Sequence, residues 1–324
     1  MILLTGGLGF IGVHTTRALL DAGESCVVAQ RRDAPVPELL RPELGDQLRV
    51  EQLDVEQRPQ LERIGARHSI TGIVHLADAT VGRLWRRPGD ESELALQGLF
   101  DGLCNLVQAA HTWGVRRVTV ASTIGVYGGV APGAWSESAA LSPVALHAVP
   151  TAKRCLELLV AFLGAQLQVN VVSVRPSAIW GPGGRPASSF FALPGLVHAA
   201  LGLGPQPERP IYAGDAADLC YVRDCGRAIA AVQTTPTLRH NIYNVGSGRL
   251  TTNAEVVAAL ERHPPIASPR LRAGRSPAPP VDPYLDLTRL REDTGFEPEY
   301  DIERGIAEYV AWLRSGAGHA VSQL

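Results

Sequence analysis

The sequence predicts an α/β fold: a doubly wound parallel sheet with a smaller C-terminal α/β domain. Three observations carry this. The chain opens on an apolar run, Ile2-Leu3-Leu4, which enters the cluster Gly6-Gly7-Leu8-Gly9 and leaves as a helical pattern from Val13 to Ala22. Short apolar runs then alternate with helix-length patterns as far as Arg175. After Pro176 the pattern loosens into short elements between Pro- and Gly-rich turns. Strands separated by helix-length segments imply right-handed crossovers and a parallel sheet covered on both faces.

The first turn is the most informative. Gly6, Gly9 and Gly12 are spaced three apart, between a strand and a helix. Gly6 and Gly7 are expected to supply positive φ, Gly9 to let a phosphate approach the backbone, and Gly12 to let the helix pack on the strand. Such a turn aims backbone N–H groups and the positive helix end at a pyrophosphate, which implies a dinucleotide site. Further strands are expected at 25–30, 48–54, 72–77, 116–122 and 169–175, and helices at 91–112 and from about Pro150 to Gln166. Thr252 and Glu255 form a capping-box signature for a helix through Leu260. Residues 302–313 read as a last amphipathic helix, and 205–210 and 264–283 as loops.

At 324 residues the chain can bury a large core. A formal net charge of −2 gives no reason to expect nucleic-acid binding. The five cysteines are scattered with no Cys-x-x-Cys pair, which favours reduced thiols in a cytoplasmic setting and no metal site. Met1 starts a strand with no basic leader, so no export signal is expected. The most apolar stretch, 156–174, is interrupted by Glu157, Gln166, Gln168 and Asn170, so no membrane span is expected.

Several ordered segments together resemble the extended short-chain dehydrogenase/reductase family, of the nucleotide-sugar epimerase and dehydratase type. They are Thr5 to Gly12, Asp54-Val55, His75-Leu76-Ala77, Ser122 to Gly128, Lys153, Arg175-Pro176 with Trp180-Gly181-Pro182, Tyr243 to Gly248, and Gly295-Phe296 with Trp312. The resemblance implies a seven-stranded Rossmann domain over 1–175 plus about 219–247. It implies a substrate domain over about 176–218 and 248–324, and a homodimer built on a four-helix bundle. It also implies that Gly6, Gly9, Phe10, Ile11, Asp54, Val55, Leu76, Ala77 and Lys153 contact the cofactor, with Asp54 accepting from the adenine amino group.

Cofactor choice follows from the end of the second strand. Many NAD-preferring relatives carry an acidic residue there for the ribose 2′-hydroxyl. This chain has Gln30, then Arg31 and Arg32. Guanidinium groups can grip a 2′-phosphate that a carboxylate would repel, so NADP is expected, with NAD through Gln30 as the alternative.

The resemblance assigns Thr123 to the substrate oxygen and Lys153 to the nicotinamide ribose and the proton relay. It places a general acid/base tyrosine four residues before the lysine, and that position is Val149. Proline at 150 suggests a helix starting there, leaving Val149 off the Lys153 face. General acid/base groups contribute about 10²–10⁴-fold, so a substitute is needed for ordinary carbonyl reduction. The candidates are His147, Tyr127 and Asp78.

Ala178, Ala217 and Leu99 stand where sugar-nucleotide members often carry Asn, Arg and Asn. Asp218 and Asp224 read as caps of a following helix. The expected activity is an NAD(P)-dependent epimerase/dehydratase-like oxidation or reduction at a hydroxyl or keto carbon of a small molecule, with a nucleotide sugar as the family's substrate class. A dinucleotide-binding sensor or scaffold without turnover is a second reading, and a non-redox lyase, cyclase or isomerase a third.

Overall fold

The computed structural model describes residues 1–77, 90–142, 148–188, 190–205, 209–277 and 283–316, with the side chains of 90–95 left aside. His147 and Asp78 therefore lie outside the described residues.

Seven parallel strands form the main sheet: β1 (Ile2–Thr5), β2 (Cys26–Gln30), β3 (Leu48–Gln52), β4 (Gly72–His75), β5 (Val118–Ala121), β7 (Val171–Pro176) and β11 (Ile242–Val245). Their spatial order is β11-β7-β5-β4-β1-β2-β3. Strand order reverses between β1 and β4, where Leu3 faces Val27 on one side and Ile73 on the other. Ligands of doubly wound sheets sit in the crevice at the carboxyl ends of strands at such a reversal.

Alternation along each strand feeds two layers. Ile2 and Leu4 join the layer covered by α1 (Phe10–Asp21) and α6 (Val222–Thr234). Leu3 joins the layer of α2 (Arg58–Arg67), α3 (Asp90–Trp113) and α4 (Ala148–Leu167). The carboxyl end of α6 is anchored by Arg117, which is wholly buried and donates to the carbonyls of Val232 and Thr235 at 2.5 and 2.7 Å. Those carbonyls belong to a helix end that has no intrahelical donors left for them.

A separate cluster forms from residues 180–313. It joins Trp180 of β8 (Ala178–Trp180), Leu196 of α5 (Leu193–Ala200), Tyr221 of β10 (Leu219–Tyr221), Leu260 of α7 (Asn253–Glu261) and Tyr309 of α9 (Ile302–Arg314). The Thr252–Glu255 capping box is present at the start of α7. Three two-stranded pieces complete the architecture: β8 with β10, β9 (Ala216–Ala217) with β12 (Thr251–Thr252), and β6 (Gly133–Trp135) with β13 (Pro283–Leu285). The division of labour is not by sequence alone. Leu290 of α8 (Thr288–Thr294) and Phe296 pack into the sheet's own core.

Asp218 and Asp224 are buried, but neither caps the following helix. Asp218 accepts from the N–H groups of Ser247 at 2.6 Å and Leu285 at 2.9 Å. Asp224, inside the first turn of α6, accepts from the N–H groups of Glu299 at 3.0 Å and Tyr300 at 2.9 Å. Both pin remote backbone that the chain order alone does not reveal.

Candidate active site

The β1–α1 turn has the shape an anion needs. Gly6 has φ +73°, and a Cβ there would lie 2.8 Å from the Ala77 nitrogen. That contact brings Leu76 and Ala77, at the end of β4, against the turn. Gly7 does not adopt positive φ, contrary to expectation; its constraint is the side chain of Val28, 2.8 Å from where a Cβ would sit. A Cβ on Gly12 would lie 2.0 Å from the Gly6 oxygen, so α1 packs on the turn only with glycine there. At Gly9 the added carbon would stand 3.1 Å from the same oxygen, inside the concavity. No side chain caps α1 and its first turn holds no acid. The leading N–H groups of a helix lack intrahelical partners. The cradle therefore fits a dinucleotide's pyrophosphate, with Phe10 and Ile11 as the first helical residues around it.

The end of β2, paired with β3, closes back on this turn. In the amide orientation that satisfies its neighbours, the Gln30 carbonyl oxygen accepts from Leu8 N–H at 2.8 Å and Gly7 N–H at 3.3 Å. Gln30 thus braces the glycine turn, a role its sequence position did not suggest. Arg31 and Arg32 form no ion pair with any described residue. The Asp54 carboxylate accepts from Glu56 N–H at 3.2 Å, a local turn that leaves its second oxygen uncommitted among the described residues. Val55 packs beside α3, where a Cβ on Gly102 would fall 2.7 Å from it.

Thr123 and Lys153 are both brought to the carboxyl end of β5. Thr123 is extended and caps the 3₁₀ turn 124–127, its oxygen accepting from Gly125 N–H at 3.2 Å. Lys153 is buried and its Nζ donates to the Ala121 carbonyl at 2.7 Å. The helix bearing Lys153 abuts the Thr123 turn, since a Cβ on Gly125 would lie 2.9 Å from Pro150 Cγ.

Two expectations change here. The helix starts at Ala148, not at Pro150. A proline in the first turn removes only an N–H that would be unpaired anyway. Val149 is thus helical and one turn before Lys153, on the same face. The position keeps its geometry and lacks only the titratable group. Tyr127 is also not placed as a proton donor. It is fully buried, its hydroxyl donates to Asn244 Oδ1 at 2.7 Å, and it accepts from Arg175 at 2.9 Å. Burial raises its pKa. Arg175 in turn makes two bonds to the buried Glu157 carboxylate, at 2.8 and 2.7 Å. Tyr127 therefore locks the end of the turn that Thr123 begins.

Sequence reasoning missed two residues. Arg154 donates to the carbonyls of Val126, Gly128 and Ser142, clamping the segment after Thr123. His14 is buried on α1, with Nε2 at 3.1 Å from the Pro182 carbonyl. Neither carries a local signal, because their partners are distant in the chain. Burial lowers the His14 pKa from its ordinary 6.5 to about 4, with a smaller upward contribution from the Pro182 carbonyl. The unfolded chain therefore binds this proton first. The stabilising contribution is complete above pH 6.5 and is lost as pH falls from 6.5 through 4, by about 3 kcal/mol in all. The His14→Gln variant is expected to lose that share of the acid sensitivity in urea unfolding measured at pH 4 to 7.

A doubly wound sheet, an uncapped helix over a glycine turn and a Thr–Lys pair at one strand end define a Rossmann-type nucleotide-binding protein. A profile of the NAD dependent epimerase/dehydratase family matches residues 2–246, and the chain belongs to that family. It is 26% identical over 324 residues to a UDP-glucuronate 4-epimerase of Thermodesulfobacterium geofontis, covering 96% of this chain and 95% of that one. It is 28% identical to a dTDP-glucose 4,6-dehydratase of Streptomyces griseus, covering 96% and 93%. The structure of MoeE5 in complex with UDP-glucuronic acid and NAD is similar, with TM-score 0.76, 26% identity and coverage of 97% and 99%.

Proposed function

We propose that this protein is an NAD(P)-dependent epimerase/dehydratase-type enzyme working at a hydroxyl or keto carbon of a small molecule, a nucleotide sugar by analogy with its relatives. The observation that carries the reading is the β1–α1 cradle, where an uncapped helix end meets glycines that a side chain would fill. A bound dinucleotide supplies the hydride acceptor or donor. The chain's own residues do the rest. Thr123 holds the reacting oxygen, and Lys153 holds the nicotinamide ribose through the ammonium fixed on Ala121. Asp54, Val55, Leu76 and Ala77 flank the adenosine half.

With valine at 149, no phenol takes the proton beside Lys153. A threonine hydroxyl hydrogen-bonds well but is a poor base at neutral pH. His147 is the titratable candidate we retain. The valine is also the specific observation that favours a second reading, dinucleotide binding without turnover. Incubation with 4-deuterated reduced cofactor and a panel of keto sugar nucleotides separates the two. Deuterium in product supports the enzyme; tight cofactor binding with no transfer across the panel supports the binding protein. Product formed without any exchange of the cofactor's 4-hydrogen points to a non-redox isomerase or lyase.

Arg31 and Arg32, which form no ion pair among the described residues, support NADP over NAD. Hydrogen bonds to charged groups contribute about 1.5–3 kcal/mol. The double variant Arg31→Ala/Arg32→Ala is expected to lose about 10–100-fold in NADPH affinity while NADH affinity stays within about twofold. Equal losses for both would contradict the assignment.

A homodimer is proposed through α4, where Leu158 and Phe162 are one turn apart and 75% and 61% exposed. Burying such side chains stabilises by about 1.5–3 kcal/mol each. The variant Leu158→Glu/Phe162→Glu is expected to sediment as a monomer where the wild-type chain sediments as a dimer. An unchanged sedimentation pattern would place the interface elsewhere. Five free thiols suit the reducing cytoplasm proposed as its compartment.

A further inference from the structure

We propose that the segment Gly181–Gly184 is a strap across the phosphate end of the dinucleotide site, and that His14 is the positioning residue that latches it. The inference rests on the dinucleotide reading above and goes beyond it, to how the bound molecule is retained.

The segment leaves the end of β8 and turns back on itself, with Gly184 N–H donating to the Gly181 carbonyl at 3.1 Å. Gly181 and Gly183 have φ of +132° and +84°, conformations that side chains rarely adopt. The backbone then lies against Phe10, the first residue of α1. A Cβ on Gly184 would stand 3.0 Å from Phe10 Cζ, and one on Gly183 3.7 Å from Cδ2. One turn further along the same helix face, His14 reaches the Pro182 carbonyl at 3.1 Å. A carbonyl only accepts, so Nε2 carries the proton. With its pKa near 4, the ring is neutral at physiological pH and the bond is present throughout that range. Among the described residues this is the one side-chain hydrogen bond to the strap.

The helix that offers its N–H groups to the phosphates is thus the helix that holds the strap. Residues 183–184 pack on the ring of Phe10, so in this proposal they flank an anion held at the α1 tip on one side. Opening that side parts His14 from Pro182. Both are buried, so the carbonyl and the imidazole N–H would be left without partners until water arrived. The latch therefore raises the barrier to release. It adds no charge, and entry past the strap has to part the same bond, so the latch slows association and release alike.

The test is stopped-flow displacement of reduced dinucleotide from the full chain, with amide hydrogen exchange over residues 180–186. His14→Phe keeps an aromatic ring and removes the donor; His14→Gln keeps a donor. Release about three- to tenfold faster in His14→Phe, with association faster by a similar factor, faster exchange over 180–186 and near wild-type behaviour in His14→Gln, supports the latch. Release from His14→Phe at the wild-type rate overturns it. So does an equal effect of both substitutions, which would make packing, not the hydrogen bond, the cause. A wild-type chain that binds no dinucleotide overturns the underlying reading and the strap with it.

Discussion

The variant Val149→Tyr is expected to transfer deuterium between 4-deuterated nicotinamide cofactor and keto sugar nucleotide about 10²–10⁴-fold faster than the parent chain. The expectation comes from the helix start. Because α4 begins at Ala148, residue 149 is one turn before Lys153 and shares its face. Lys153 is buried, with its ammonium fixed on the Ala121 carbonyl at 2.7 Å. A neighbouring positive charge favours a phenolate and brings the phenol toward the range useful for proton transfer. Pro150 needs no adjustment, since it already occupies the first turn. Label content by mass spectrometry gives the rate directly. A ratio near one would mean that residue 149 does not face the reacting oxygen, or that proton transfer is not what limits the parent.

The variant Glu157→Leu is expected to lose about 3–5 kcal/mol of stability in urea unfolding. Arg175 and Glu157 are 3% and 8% exposed and bonded twice, so removing the acid strands a buried guanidinium. The loss spreads, because Arg175 also donates to Tyr127, and Tyr127 to Asn244. The double variant Glu157→Leu/Arg175→Met removes both charges and is expected to recover most of the stability. A double variant no more stable than Glu157→Leu would show that the Tyr127 hydroxyl, not the stranded charge, dominates.

Legibility followed the range of the interaction. The β1–α1 turn was readable because glycine geometry is local, and the capping box at Thr252–Glu255 for the same reason. The parallel sheet was readable from its alternation of strand and helix lengths. Tyr127 was not, since the groups that bury its hydroxyl are 48 and 117 residues away. His14 meets a carbonyl 168 residues away, and nothing around it in the sequence marks it. Val149 was read as lying off the Lys153 face, and the structure puts it on that face, one turn before the lysine. Pro150 signals a helix start, but a proline is tolerated throughout the first turn, where N–H groups have no partner to lose. Gln30 was read as a ribose ligand by its place at the end of β2; its contact with Gly7 and Leu8 depends on how the turn folds back over that strand.

Titration of the purified chain with the oxidised and reduced forms of both nicotinamide dinucleotides bears most directly on this account. It predicts saturable binding of one molecule per chain, tightest for the 2′-phosphorylated forms. It also predicts strong weakening in Gly9→Ala, whose φ of −76° tolerates a side chain but whose new carbon enters the cradle. A chain that binds none of the four, or binds them equally well with alanine at position 9, would contradict it.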